Sequence, residues 1–493
     1  MASKGPYRRV LLIVPGYRDS HYEYAGLPAG MGYVSEALDK AGVEQEVVDM
    51  RLGYGWRHLS ARIRSFRPDL IGATMMSFRY KDNYALLEKI KEEFPGMDIM
   101  LGGPHMSTFR EKAMEECPAI DFGITLEGED AVTELCEGKD PGRVKGLLYR
   151  EGEGIVYTGD RDFIKDLDAK GFPRYRHFER DKYPQFISLV TSRGCPHNCI
   201  FCPVQLTIGK RLRVRSPESI LGEIDYWYGR GVRVFNVVDD NFTFYKDRIM
   251  RICEGVRERG YTDITFSCRN GVRADTVDRE MLGAMRDIGF NYLAFGVESG
   301  TEKMLKIIKK GETLESIEGA IKDSCELGYM VTLFFIMGLP QETEEDISRS
   351  VELAEKYPVF DVRFYNPIPF PGTELYDWVE ENGYFDPARG DYLNAFSHWI
   401  NDPVYATPEL SIEARKRIYK SVNERMRKHT LKTKMAFSKD LEKMFSDLGV
   451  PSAMSAMLAR LYYTRPFQKY VIESGVASKM KKYLKLKKGA GAA

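Results

Sequence analysis

The feature that most constrains this chain is Cys195-Pro196-His197-Asn198-Cys199-Ile200-Phe201-Cys202, where three of its 8 cysteines fall in a Cys-x3-Cys-x2-Cys spacing. The motif follows the apolar run Phe186–Thr191 (FISLVT) through Ser192-Arg193-Gly194. That run reads as a buried strand. Three thiolates on one tight loop can hold three irons of a cubane cluster and leave the fourth iron open. Zinc is the competing assignment. A structural zinc normally takes four ligands, so His197 or a distant Cys would have to complete the set. The remaining cysteines (Cys117, Cys136, Cys253, Cys268, Cys325) are scattered, and no second cluster is expected from them. A secreted disulfide scaffold would be shorter and richer in cysteine, so a reducing, cytoplasmic setting is expected.

A chain of 493 residues should hold two or three domains. Its 72 Lys and Arg balance 72 Asp and Glu, which offers no electrostatic argument for nucleic acid as a partner. The opening MASKGPYRRVLLIVPGY lacks a small-residue cleavage site after its apolar run and reads as a first core strand. The longest apolar stretch, Tyr329–Pro340, is too short to span a bilayer. The tail Lys479–Lys488 carries six lysines and follows the apolar, aromatic Leu458–Tyr463. Such an end can rest on an anionic membrane, although a solvated, frayed terminus is the commoner outcome.

From Arg9 to Glu137 strands and helices alternate. Strand-like runs at Val10–Val14, Val43–Val48, Leu70–Met75, Ile99–Leu101 and Ile120–Leu126 enclose helical patterns such as Met31–Lys40 and Asn83–Glu93. This alternation predicts a parallel sheet in a Rossmann-like, flavodoxin-like order, with ligands at the carboxyl ends of its strands. Gly102-Gly103-Pro104-His105 follows the fourth strand and Glu127-Gly128-Glu129-Asp130 the fifth. Singly, each is an ordinary turn. Together with Gly26-Leu27-Pro28-Ala29-Gly30-Met31-Gly32-Tyr33, they resemble the cobalamin-binding domain of B12-dependent radical S-adenosylmethionine (SAM) enzymes over residues 8–140. The resemblance implies cobalamin contacts from Thr74, Ser77, Gly102, Gly103, Pro104, His105, Glu127, Gly128 and Glu129. B12-dependent mutases carry Asp-x-His-x-x-Gly, whose His binds cobalt. Here the corresponding loop is Thr74-Met75-Met76-Ser77-Phe78-Arg79-Tyr80, without His. The resemblance then implies base-off cobalamin with no His ligand, or no cobalamin at all.

Residues 145–159 read as a hairpin, followed by a polar linker to Pro184. Beyond it, Phe186–Thr191, Val232–Val238, Asp263–Cys268, Tyr292–Val297, Val331–Ile336 and Val362–Asn366 make six strand-like runs with helices between them. Together with the Cys-x3-Cys-x-aromatic-Cys spacing, they resemble the partial (β/α)6 barrel of the radical SAM superfamily. That resemblance implies a [4Fe–4S] cluster on Cys195, Cys199 and Cys202, with SAM on the open iron. Reductive cleavage of SAM to a 5′-deoxyadenosyl radical would follow. SAM contacts are expected at strand ends: Phe201, Asp239, Asp240, Ser267, Arg269, Glu298 and Gly338. Arg269 could clamp the SAM carboxylate.

The expected domains are a cobalamin-binding domain (1–145), a hairpin and linker (146–184), a radical SAM barrel (185–383) and a helical C-terminal region (384–493). The last carries helical patterns at Ile412–Thr430 and Phe437–Leu448. It also carries an aromatic cluster of Phe396, His398, Trp399 and Tyr405. The expected function is methylation of an unactivated carbon of a small organic or lipid-like substrate, with a flavodoxin- or ferredoxin-type electron donor. A B12-dependent cyclase resembling the anaerobic cyclase of bacteriochlorophyll synthesis is the second reading. A radical SAM enzyme whose N-terminal domain only docks is the third.

Overall fold

The computed structural model describes residues 7–16, 26–395 and 401–447, together with Ser455 and Met457. The aromatic positions Phe396, His398 and Trp399 and the lysine tail therefore lie outside the described residues.

The first sheet begins with β1 (Arg9–Val14), whose RVLLIV sequence is buried at five of six positions. It continues with β2 (Glu44–Asp49), β3 (Leu70–Thr74), β4 (Asp98–Gly102) and β5 (Phe122–Ile124). The central strands β1, β3 and β4 are buried on both faces because helices cover both sides, as a parallel sheet demands, whereas the edge strand β2 (EQEVVD) is mostly polar. Leu11 and Leu12 illustrate this: neighbours on β1, both fully buried, they belong to two different core clusters. The order is β2-β1-β3-β4-β5, with every pairing parallel. The chain crosses over at β1, so a crevice opens beyond the carboxyl ends of β1 and β3.

The hairpin of β6 (Leu147–Glu151) and β7 (Gly154–Tyr157) is not a free connector. β6 pairs antiparallel with β5, through Phe122↔Tyr149 to Ile124↔Leu147, and extends the sheet to seven strands. An exposed parallel edge offers unpaired N–H and C=O groups, and the hairpin satisfies them.

The second sheet is built from β8 (Ile187–Leu189), β11 (Val234–Val237), β12 (Thr265–Val272), β13 (Phe290–Glu298), β14 (Met330–Ile336) and β15 (Asp361–Tyr365). They lie side by side in chain order, all parallel. Between β8 and β11 the short β9 (Ser192–Arg193) and β10 (Arg213–Val214) form an antiparallel ribbon. Helices Leu314–Glu326 and Glu344–Glu355 start in capping boxes at Thr313 and Thr343. β12 runs four residues past Cys268, with a register shift between Cys268 and Val272. Ser267 and Arg269 thus lie within the strand, not in a loop beyond it.

The C-terminal helical patterns merge into one helix, Ile412–Asp447. Nothing between them breaks a helix, since Leu431-Lys432-Thr433-Lys434-Met435 holds neither Gly nor Pro. This helix covers the β15 edge. Asn423 accepts from the Phe364 N–H and donates to its carbonyl, both at 3.4 Å, and Lys434 pairs with Asp361 at 2.5 Å.

Candidate functional site

Two glycine turns shape the site. At the end of β4, Gly103 adopts φ +94°, and an added Cβ would sit 2.6 Å from Thr74 Oγ1. The loops after β3 and β4 are joined by Met75 N–H to Gly102 O and His105 N–H to Met75 O, each at 3.1 Å. After β5, Leu126 takes φ +59°, an uncommon conformation for a residue with a side chain. Its N–H donates to Ser107 Oγ at 2.9 Å. These turns leave a cavity of about 350 Å³, within the usual range for cofactor pockets, roughly 300–1,000 Å³. Thr74, Gly102, Gly103, Pro104, Glu127, Gly128 and Glu129 line one side. Val190, Val238 and Asp240, just past β8 and β11 of the second sheet, line the other, with Ser192 and Arg193 of β9 and with Thr207 and Ile208 from the short helix after the third cysteine.

Two expected contacts are not brought there. His105 is 1 % exposed, stacked on Tyr80 with ring centroids 4.8 Å apart, and its Nε2 lies 2.7 Å from Tyr84 Oη. Pro104 starts a short helix that turns residue 105 into the core. Burial lowers the His105 pKa to about 4, so the ring is neutral. Ser77 is also buried and is not part of the cavity wall.

The second turn is Gly194, at φ +99°, where a Cβ would lie 2.2 Å from the Arg211 carbonyl oxygen. It opens the loop that carries the three cysteines, and the β9–β10 ribbon closes that loop, with Arg193 opposite Arg213. Backbone bonds fix it internally: Cys195 N–H to Gly209 O at 3.0 Å and Cys202 N–H to Cys199 O at 3.2 Å. Ile200 N–H to Ile308 O at 3.1 Å anchors it to the second sheet's helical layer. The three thiols are free and half-buried. Burial pushes Cys202 up to about 12, with the neighbouring thiols Cys199 and Cys195 adding to the rise. Burial also raises Cys199, against the pull of Lys310 and Arg273. Cys199 and Cys202, both raised by burial, need positive charge to ionise, and iron supplies it. The donor set therefore fits a cluster.

The expected SAM contacts divide. Asp240 lines the cavity, and burial with the adjacent Asp239 raises it to about 6. Asp239 is turned the other way. It is buried and accepts from Thr191 N–H at 2.6 Å and from Ser192 Oγ at 2.7 Å, which ties down the segment entering the cysteine loop. Ser267 is buried and donates to Asn236 Oδ1 across to β11. Arg269 is exposed, with its guanidinium 4.4 Å above the Tyr292 ring. Phe201 is half-buried against the second core cluster. Gly338 is closed off: its carbonyl accepts from Tyr405 Oη at 2.6 Å, and a Cβ there would meet the Arg415 guanidinium carbon at 2.2 Å. Tyr405 is fully buried and packs on Arg415. Glu298 ends β13 at φ +65° and pairs with Lys310 at 3.2 Å.

That pair belongs to a buried group that sequence reasoning missed. Lys310 Nζ is also 3.2 Å from Glu312 Oε2, and Arg273 Nη1 donates to the Lys310 carbonyl at 2.9 Å. Glu312 Oε1 accepts the Ala274 N–H at 2.6 Å. Burial raises Glu298, opposed by Lys310. The charges of Lys310, Glu298 and Arg273 reach Cys199. In sequence, Lys309-Lys310-Gly311-Glu312 lies between two helices and reads as a solvated charge run.

Residues 189–354 match the family model described as the radical SAM superfamily, and residues 20–136 match that of the B12 binding domain. An uncharacterized methyltransferase of Pyrococcus horikoshii is 28% identical over 386 residues, covering 76% of this chain and 83% of that protein. The anaerobic magnesium-protoporphyrin IX monomethyl ester cyclase of Cereibacter sphaeroides is 26% identical over 394 residues, covering 76% of this chain and 64% of that protein. The radical SAM methyltransferase TsrM from Kitasatospora setae, solved with cobalamin and a [4Fe–4S] cluster, shares the fold. Its TM-score is 0.67 at 18% identity, over 76% of this chain and 75% of that one. With the cysteine loop and the strand-end cavity meeting in one chain, this protein carries a radical SAM domain over residues 189–354, preceded by a B12-binding domain over residues 20–136.

Proposed function

We propose that this enzyme methylates an unactivated carbon of a small organic or lipid-like substrate, using SAM, a [4Fe–4S] cluster and base-off cobalamin. The observation that carries this reading is the shared cavity: glycine loops of the first sheet form one wall, and the cysteine-loop side of the second sheet forms the other. When bound, the cluster supplies the electron that cleaves SAM, and the corrinoid supplies a transferable methyl group.

Cys195, Cys199 and Cys202 hold the iron. Gly102, Gly103 and Gly128 let the backbone approach a flat macrocycle closely. No His is found among the described lining residues, and His105 is engaged by Tyr84, which supports a corrinoid without a His ligand. Asp240 offers a carboxylate at the cavity wall. Lys310 and Arg273 place positive charge beside Cys199. The low-potential electron comes from a flavodoxin- or ferredoxin-type donor in the cytoplasm. Among the described residues no helix is long and apolar enough to cross a membrane.

Anaerobic reconstitution with iron, sulfide and hydroxocobalamin, then SAM and a strong reductant, tests the reading. About four irons per chain, a retained corrinoid, and 5′-deoxyadenosine together with S-adenosylhomocysteine are expected. 5′-Deoxyadenosine alone with corrinoid bound would instead favour ring closure, as in the cyclase relatives. A protein that retains no corrinoid would overturn the cofactor assignment.

A further inference from the structure

Glu127 and Glu129 line the cavity, yet their carboxylates do not point into open space. Glu127 Oε1 lies 2.8 Å from Arg193 Nη1, and its two oxygens lie 2.8 and 2.7 Å from Arg213 Nη1. It also accepts the Ile164 N–H at 2.7 Å. Glu129 Oε1 lies 2.8 Å from Arg193 Nη2. All four side chains are buried, with exposures of 7, 6, 12 and 4 % for Glu127, Glu129, Arg193 and Arg213. Two carboxylates face two guanidinium groups, so the charge balances where water cannot screen it. Arg193 additionally lies 4.5 Å over the ring of Tyr33, which is also in the cavity wall.

The placement of the two arginines matters more than their charge. They face each other across the β9–β10 ribbon, one immediately before Gly194 and one on the returning strand. Arg213 Nη2 also donates to the carbonyl of Ile208, in the short helix after the third cysteine, at 3.1 Å. One carboxylate, Glu127, thus holds the entry and the exit of the loop bearing all three cysteines. Glu127 and Glu129 flank Gly128 on the loop that faces the other cofactor. A guanidinium makes directional, fork-like bonds, so neither loop can slide past the other without breaking them. Leu126, held at positive φ, sits directly before this loop.

We propose that Glu127, Glu129, Arg193 and Arg213 form a positioning clamp that couples the two cofactor sites, so that filling one pre-orders the other. The proposal rests on the corrinoid reading above. Coupling between sites is reciprocal and can be measured as a ratio of affinities. These four are positioning residues: they act through the two loops they join.

The test is a hydroxocobalamin titration, followed by absorbance, of reconstituted protein and of a cluster-free Cys195→Ala/Cys199→Ala/Cys202→Ala variant. Cluster-loaded protein should bind the corrinoid about tenfold more tightly than cluster-free protein. In Arg193→Gln and in the milder Glu129→Gln, that ratio should fall toward one. Hydrogen exchange on Glu129→Gln without cofactors gives a second readout. Amides of residues 194–212, in the other half of the molecule, should exchange faster, while those of helix 80–93, which touches none of the four clamp residues, stay unchanged. A ratio near one in the parent protein, or a ratio and an exchange pattern that persist in Glu129→Gln, would overturn the clamp. Failure of the parent protein to bind hydroxocobalamin in either form would overturn the corrinoid reading, and the clamp with it.

Discussion

The two sheets solve the same problem in opposite ways. Both are built on a parallel core of strands (the first extended by an antiparallel hairpin), both are covered by helices, and both place their site at the carboxyl ends of their parallel strands. The first sheet makes room. Its strand ends carry Gly102, Gly103 and Gly128, and its charges are spent on the neighbouring domain. The second sheet fills its mouth with charge: Glu298, Lys310, Glu312 and Arg273 form a buried ionic group beside Cys199. Under the proposed function, the contrast matches what each would hold. A large flat cofactor needs backbone surface, whereas a cluster and a zwitterionic cosubstrate need counter-charges in a site with little water.

Cys199→Ala should break the second site outright. Iron content should drop, and 5′-deoxyadenosine formation should fall by on the order of a thousandfold or more, about 4 kcal/mol in barrier terms. Corrinoid binding should survive, weakened only by the loss of coupling. Lys310→Met comes next. It leaves Glu298 and Glu312 buried without their shared partner, an error that costs roughly 3–5 kcal/mol. Chemical denaturation of the cluster-free protein would measure it. A loss below about 1 kcal/mol would mean that water reaches the group, and the contrast between the two mouths would lose its basis.

Glu342 sharpens the comparison through pH. Its carboxylate is fully buried, accepts the Leu339 N–H at 3.2 Å as well as the Gly338 N–H, and faces Arg415 and Asp346. Burial raises its pKa to about 7. The folded chain therefore keeps a proton that the unfolded chain releases near pH 4.5. Stability is fully present below that pH and declines as the pH rises through 7. Glu342→Gln keeps an acceptor without the charge, so its advantage over the parent should grow between pH 5 and pH 8. The gain should reach roughly 3 kcal/mol at most. Parallel unfolding curves at the two pH values would refute this. The smallest effect is expected at Gly103→Ala. The added methyl meets Thr74 Oγ1 and the Met75 backbone. Hydroxocobalamin affinity should weaken about tenfold, or about 1.4 kcal/mol, while iron content stays unchanged.

Much of this was legible in residues close together in the chain. The cysteine spacing, the apolar runs of both sheets and the glycines after β4 and β5 are local signals, because a strand's period and a turn's glycine need no partner to be read. What escaped reading depended on distant partners. His105 follows Gly102-Gly103-Pro104 and looks like a ligand, but Tyr80, Tyr84 and Phe109 enclose it. Asp239 and Asp240 are adjacent and alike in sequence, yet one ties down Thr191 and Ser192 while the other faces the cavity. Gly338 sits at a strand end, where a long helix returning more than 70 residues later covers it with Arg415.

By itself, then, the sequence determined which chemistry the chain carries: three thiols on one loop, a parallel sheet on either side of a linker, and glycines where a backbone must turn. Only the tertiary structure decided which charges are buried and with whom. The match of Glu127 and Glu129 to Arg193 and Arg213 spans 64 to 86 positions. Such pairs carry no periodic signal. They gain meaning only when folding removes water from around them, because exclusion of solvent is what turns an ordinary surface charge into a directional, structure-determining bond.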